Sequence, residues 1–166
     1  DKFNHSSIYA FNISLKKPYK IFKKTTKPVL SKGDLGFFDE AKRQYKRALE
    51  INPNFPEAYN NLGNTYLELG QIDDAVINYK RAVKINADFS EAYNSLGNVY
   101  SDQGDFEDAV NEYKKALEIN PDFPALHNNL GNAFLLKNDI DQALQSYENA
   151  IKIKQLKKKI YMFYIN

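Results

Sequence analysis

The sequence predicts an all-α fold, a solenoid of antiparallel helix pairs about three and a half units long. Three observations predict it. First, residues recur at a spacing of 34: Asn52, Asn86 and Asn120; Gly63, Gly97 and Gly131; Ala41, Ala75, Ala109 and Ala143; Tyr45, Tyr79, Tyr113 and Tyr147. Second, residues 56–89 and 90–123 agree at 19 of 34 positions without a gap. Third, Gly, Asn and Pro divide each period into two stretches of helical length. A repeat of this kind cannot bury both faces of one helix pair, so neighbours must stack.

Taken in order, residues 1–35 form an irregular basic segment with Pro18 and Pro28, and 36–55 read as the second half of a degenerate first unit. Full units follow at 56–89, 90–123 and 124–157, then a basic and apolar tail at 158–166. First helices are expected over roughly 56–69, 90–103 and 124–137, and second helices over roughly 72–85, 106–119 and 140–153. Gly70, Gly104 and Asn138 stand where a first helix must end in a left-handed residue. Asn52, Asn86 and Asn120 follow the second helices in a similar way, with Pro53 and Pro121 forbidding continuation. Pro56 and Pro124 suit a first helical turn. Gly63 facing Ala75, and its counterparts, would let two helices approach, while Tyr79 with Ala82 would seat the next unit. Past residue 153 there is no turn signal, so the last helix is free to continue.

The pattern Tyr59–Leu62–Gly63–Tyr66 followed by Ala75–Tyr79–Ala82 resembles the tetratricopeptide repeat (TPR) signature. The resemblance implies a right-handed superhelix whose first helices line a concave, protein-binding groove. The sequence departs from the pattern at Ala87 and Gln155, where proline is usual, and at His127, where the first aromatic is usual. The apolar end Ile160–Ile165 differs from the polar capping helix common in the family. It leads us to expect a fragment or a misplaced gene boundary, and uncapped ends would also permit self-association. The chain begins at Asp1 and shows no signal-peptide pattern.

Charge is segregated. Residues 1–32 carry eight Lys against one Asp, residues 152–166 five Lys and no acid, and the body between them 10 basic against 20 acidic residues. The N-terminal tail is expected to touch the acidic groove transiently. There is no cysteine, which fits a reducing compartment, cytoplasmic or nuclear. Two histidines, His5 and His127, cannot supply a metal ligand set. No nucleophile–base pair or phosphate loop is present either. No enzyme activity, metal or cofactor is therefore expected. The sequons at Asn4 and Asn12 read as chance. Nucleic-acid or membrane binding through the lysine tails ranks low: phosphate contacts need only Lys, but no aromatic platform or base-reading element is organised there.

What remains is the face the resemblance makes concave. It holds Glu57, Asn60, Asn61 and Asn64; then Glu91, Asn94, Ser95 and Asn98; then Asn128, Asn129 and Asn132. Asparagine lowers helix propensity, yet its amide both donates and accepts and can grip the backbone of an extended peptide. The expected partner is a protein or extended peptide, neutral to basic because of the flanking acids. The face is similar to the asparagine-lined repeats of protein O-GlcNAc transferases, which implies an alternative role as the substrate-recognition part of a larger glycosyltransferase. A chaperone-type carboxylate clamp of two Lys, one Arg and two Asn would fall on Asn60, Asn64, Ser95, Ala125 and Asn129; only Asn64 agrees and the three bases are missing.

Overall fold

The structure is a computed structural model and describes residues 32–165. The sequons, the rest of the N-terminal segment and its expected contact with the groove lie outside the described residues. Among those described there are seven helices and no strand: α1 (Lys32–Ile51), α2 (Pro56–Glu68), α3 (Ile72–Ile85), α4 (Ser90–Gln103), α5 (Phe106–Ile119), α6 (Pro124–Leu136) and α7 (Ile140–Ile165). They form an all-α solenoid in which each first helix (α2, α4, α6) pairs with the second helix that follows it. Each second helix then packs on the first helix of the next unit.

Local chemistry sets the boundaries. Gly70 and Gly104 adopt φ of 73° and 89°, and Asn138 adopts 64°. In each case the following amide reaches back across the turn: Gln71 N–H donates to Tyr66 O at 2.8 Å, Asp105 to Tyr100 at 2.9 Å and Asp139 to Phe134 at 2.9 Å. These bonds satisfy carbonyls that the helix end would otherwise leave open. The second helices stop differently from the expectation. Asn86 and Asn120 are not left-handed, with φ of −130° and −131°. Asn52 and Asn86 act instead through their side chains, accepting from the amides of Asn54 (3.1 Å) and Asp88 (3.0 Å). Such a turn competes with the helix by mimicking a backbone bond. Pro56 and Pro124 open α2 and α6 as expected.

Two boundaries move. Helix α1 begins at Lys32, so residues 32–35, expected in the irregular segment, are helical. Pro28 is the last breaker before it, and Asp34 in the first turn complements the helix dipole. Helix α7 runs unbroken for 26 residues and takes in most of the expected tail. Lys154 and Gln155 stand where Asn120 and Pro121 end α5, so nothing stops it.

The close helix approach brings each repeat glycine against a tyrosine ring. A Cβ on Gly63 would lie 2.6 Å from the ring of Tyr79, and Gly97 and Gly131 face Tyr113 and Tyr147 in the same way. The tyrosine therefore lies across its own unit's glycine, besides joining the core shared with the next unit. Burial raises the Tyr45 phenol to about 12. Cations latch the units together. Lys46, Lys80 and Lys114 lie 5.8, 5.8 and 5.6 Å from the rings of Tyr66, Tyr100 and Phe134, each in the following unit. Within units, Arg81 and Lys115 cover Tyr59 and Tyr93. The third unit has Asn149 and His127 at those two positions. His127 Nε2 instead meets the Pro121 carbonyl at 2.9 Å, a structural use that holds the turn before α6.

Candidate peptide-binding face

The sequence places an asparagine at 64, 98 and 132 and a tyrosine 15 residues later at 79, 113 and 147. The fold brings each pair together. Tyr79 Oη donates to Asn64 Oδ1 at 2.7 Å, Tyr113 to Asn98 at 2.7 Å and Tyr147 to Asn132 at 2.6 Å. The tyrosine occupies the amide oxygen and leaves the NH₂ group as a donor. The same bond recurs once per unit, so the three amides are fixed in one orientation by tyrosines of the second helices.

A second link joins units. Asn129 Nδ2 donates to Asn94 Oδ1 at 2.9 Å and to Asn98 Oδ1 at 3.3 Å, tying α6 to α4. One unit earlier Ser95 replaces the donor, and its hydroxyl bonds back to Glu91 O at 3.0 Å. The counterpart of Asn94 is Asn60, which is 8% exposed. Its Oδ1 is buried with no hydrogen-bond partner. The orphan follows from the serine. A buried acceptor left unmade costs more than a bond contributes, so Ser95→Asn is expected to raise the melting temperature by supplying the missing donor. The gain should be about 0.5–1.5 kcal/mol, read by thermal denaturation. An unchanged or lower melting temperature would show that the Asn60 carbonyl is not reached.

The remaining expected residues divide plainly. Asn61 and Asn128 are half-buried and make no side-chain hydrogen bond among the described residues. Glu57 and Glu91 are exposed in the first turns of α2 and α4. Partial desolvation raises the Asp102 carboxyl above its ordinary value. The face therefore combines amide groups already spent on the scaffold with amide donors and acids still turned to solvent. Sequence reasoning did not find the tyrosine–asparagine pairing, although its constant spacing of 15 was a usable signal.

A stack of helix pairs with such a polar face defines a helical-repeat scaffold of the protein–protein interaction class. Family models described as TPR repeat match residues 34–70, 63–104 and 97–138, and one described as Tetratricopeptide repeat matches 124–155. The chain belongs to the tetratricopeptide repeat family. Comparison with curated proteins gives no match. Among solved structures it is similar to the crystal structure of MamA protein, with a TM-score of 0.68 and 27% identity, covering 76% of this chain and 69% of that chain. It is also similar in fold to MamA MSR-1 C2, at a TM-score of 0.63 and 20% identity over 74% of this chain and 71% of that one.

Proposed function

We propose that the chain binds an extended, neutral to basic polypeptide along the face lined by α2, α4 and α6. The observation that carries this reading is the threefold Tyr–Asn bond, which pre-orients the amide donors of Asn64, Asn98 and Asn132. Donors held before the ligand arrives avoid an ordering cost on binding. Carbonyl groups of an extended backbone suit such donors whatever their side chains. Glu57, Glu91 and Asp102 repel acidic segments and favour basic ones. Random peptides displayed on phage and selected on the whole chain test this directly. Enriched sequences should be poor in Asp and Glu, and should lose binding when Asn61, Asn98 and Asn129 are replaced by Ala. Enrichment of acidic peptides, or of peptides indifferent to that replacement, would overturn the reading.

A further inference from the structure

The C-terminal helix α7 extends well past the end of the repeat pattern. As a bare lysine tail this segment has no organised element, but as the continuation of α7 it has one. At about 100° per residue, Ile153, Leu156, Ile160 and Phe163 fall on one stripe. Lys152 and Lys159 lie along one flank of it and Lys157 along the other, with Lys154 and Lys158 on the opposite face beside Tyr161 and Met162. No acidic residue follows Glu148. Leu156, Ile160 and Phe163 are exposed, Phe163 at 81%.

Among the described residues, the outer face of this helix is open. Val110 of α5, which α6 covers, is 2% exposed, whereas its counterpart Leu144 in α7 is 56% exposed. Two of the lysines have neighbours: Lys157 Nζ donates to the Asp122 carbonyl at 2.8 Å, and Lys152 lies 3.9 Å from Glu148. The first of these braces the extension against the turn before α6. No described helix is long and apolar enough to cross a membrane.

We propose that residues 152–165 form a membrane-surface anchor that lies in the headgroup layer of an anionic phospholipid bilayer. Charge complementarity selects the occupant. Flanking lysines meet lipid phosphates and carboxylates while the apolar stripe enters the acyl boundary. A nucleic acid would use the lysines and leave Ile160 and Phe163 in water. The anchor leaves the face lined by α2, α4 and α6 open to its peptide.

The test is co-sedimentation of the whole chain with vesicles of phosphatidylcholine alone, or of phosphatidylcholine and phosphatidylserine in equal parts. Binding is expected to the mixed vesicles and not to the neutral ones. Replacing Lys154, Lys158 and Lys159 by Gln should weaken it on the order of a hundredfold at low salt. Phe163→Asp, at an exposed position, should weaken it about tenfold or more. Three results would each overturn the proposal: no binding to either vesicle, equal binding to both, or binding to mixed vesicles that Phe163→Asp leaves unchanged and a single-stranded oligonucleotide competes away.

Discussion

Gly97→Val is expected to destabilise the solenoid severely, and even Gly97→Ala should be felt. A single added Cβ would lie 2.6 Å from Tyr113 Cε1 and 2.7 Å from its Cδ1. The ring has little freedom to yield. Tyr113 is 3% exposed within the core that joins α5 to α6, and its hydroxyl is bonded to Asn98. Overpacking of this kind costs roughly 1–3 kcal/mol, and displacing the hydroxyl forfeits roughly another 0.5–1.5 kcal/mol. Thermal or urea denaturation of the variant checks it. Gly36→Ala is the control, since nothing lies within 4 Å of a Cβ built there. It should leave stability unchanged or slightly raised. Equal stability of Gly97→Val and the parent would contradict the glycine–tyrosine packing.

The other large effect concerns binding. Asn61→Ala, Asn98→Ala and Asn129→Ala together are expected to reduce affinity for a selected peptide about tenfold or more. Each lost backbone bond removes roughly 0.5–1.5 kcal/mol, against a total of about −8 kcal/mol for micromolar binding. The structure sharpens how this variant behaves. Asn61 makes no side-chain bond among the described residues, so its loss acts on ligand alone. Asn98 accepts from Tyr113 and Asn129, and Asn129 holds α6 to α4. The triple variant therefore gives up some stability, partly offset by the better helix propensity of Ala. Asn61→Ala alone separates the two effects. It should weaken binding without lowering the melting temperature.

Much of this architecture is legible in the chain because its causes are local. Gly70, Gly104 and Asn138 end helices through their own backbone geometry, and Pro56 and Pro124 start them through a fixed φ. The run-on of α7 was readable from Lys154 and Gln155 standing where Asn and Pro should be. The facing of Gly63 was not. Helical periodicity says which residues share a stripe, but not which residue of the next helix they meet, and the ring of Tyr79 over Gly63 was not foreseen. The candidate face was legible as a row of asparagines, yet the row hides three roles. Asn64, Asn98 and Asn132 each accept from a tyrosine, Asn129 bridges units, and Asn61 and Asn128 are half-buried with no side-chain bond among the described residues. Those roles depend on contacts 15 and 31 to 35 residues away, and composition alone does not reveal them. Ser95 shows the same point from the other side. It is a small departure in the repeat whose consequence, the orphaned carbonyl of Asn60, appears only when α2 and α4 are packed.

Amide groups of the first helices are expected to grip a peptide backbone. Side-chain NH₂ resonances of the asparagines, followed by ¹⁵N NMR during titration with a selected peptide, test it most directly. The resonances of Asn61, Asn64, Asn98 and Asn132 should move together and saturate with one affinity, while those of Asn78 and Asn149 on the second helices stay in place. Saturable shifts confined to α3, α5 or α7, with the four groove amides unmoved, would place the peptide elsewhere and contradict the account.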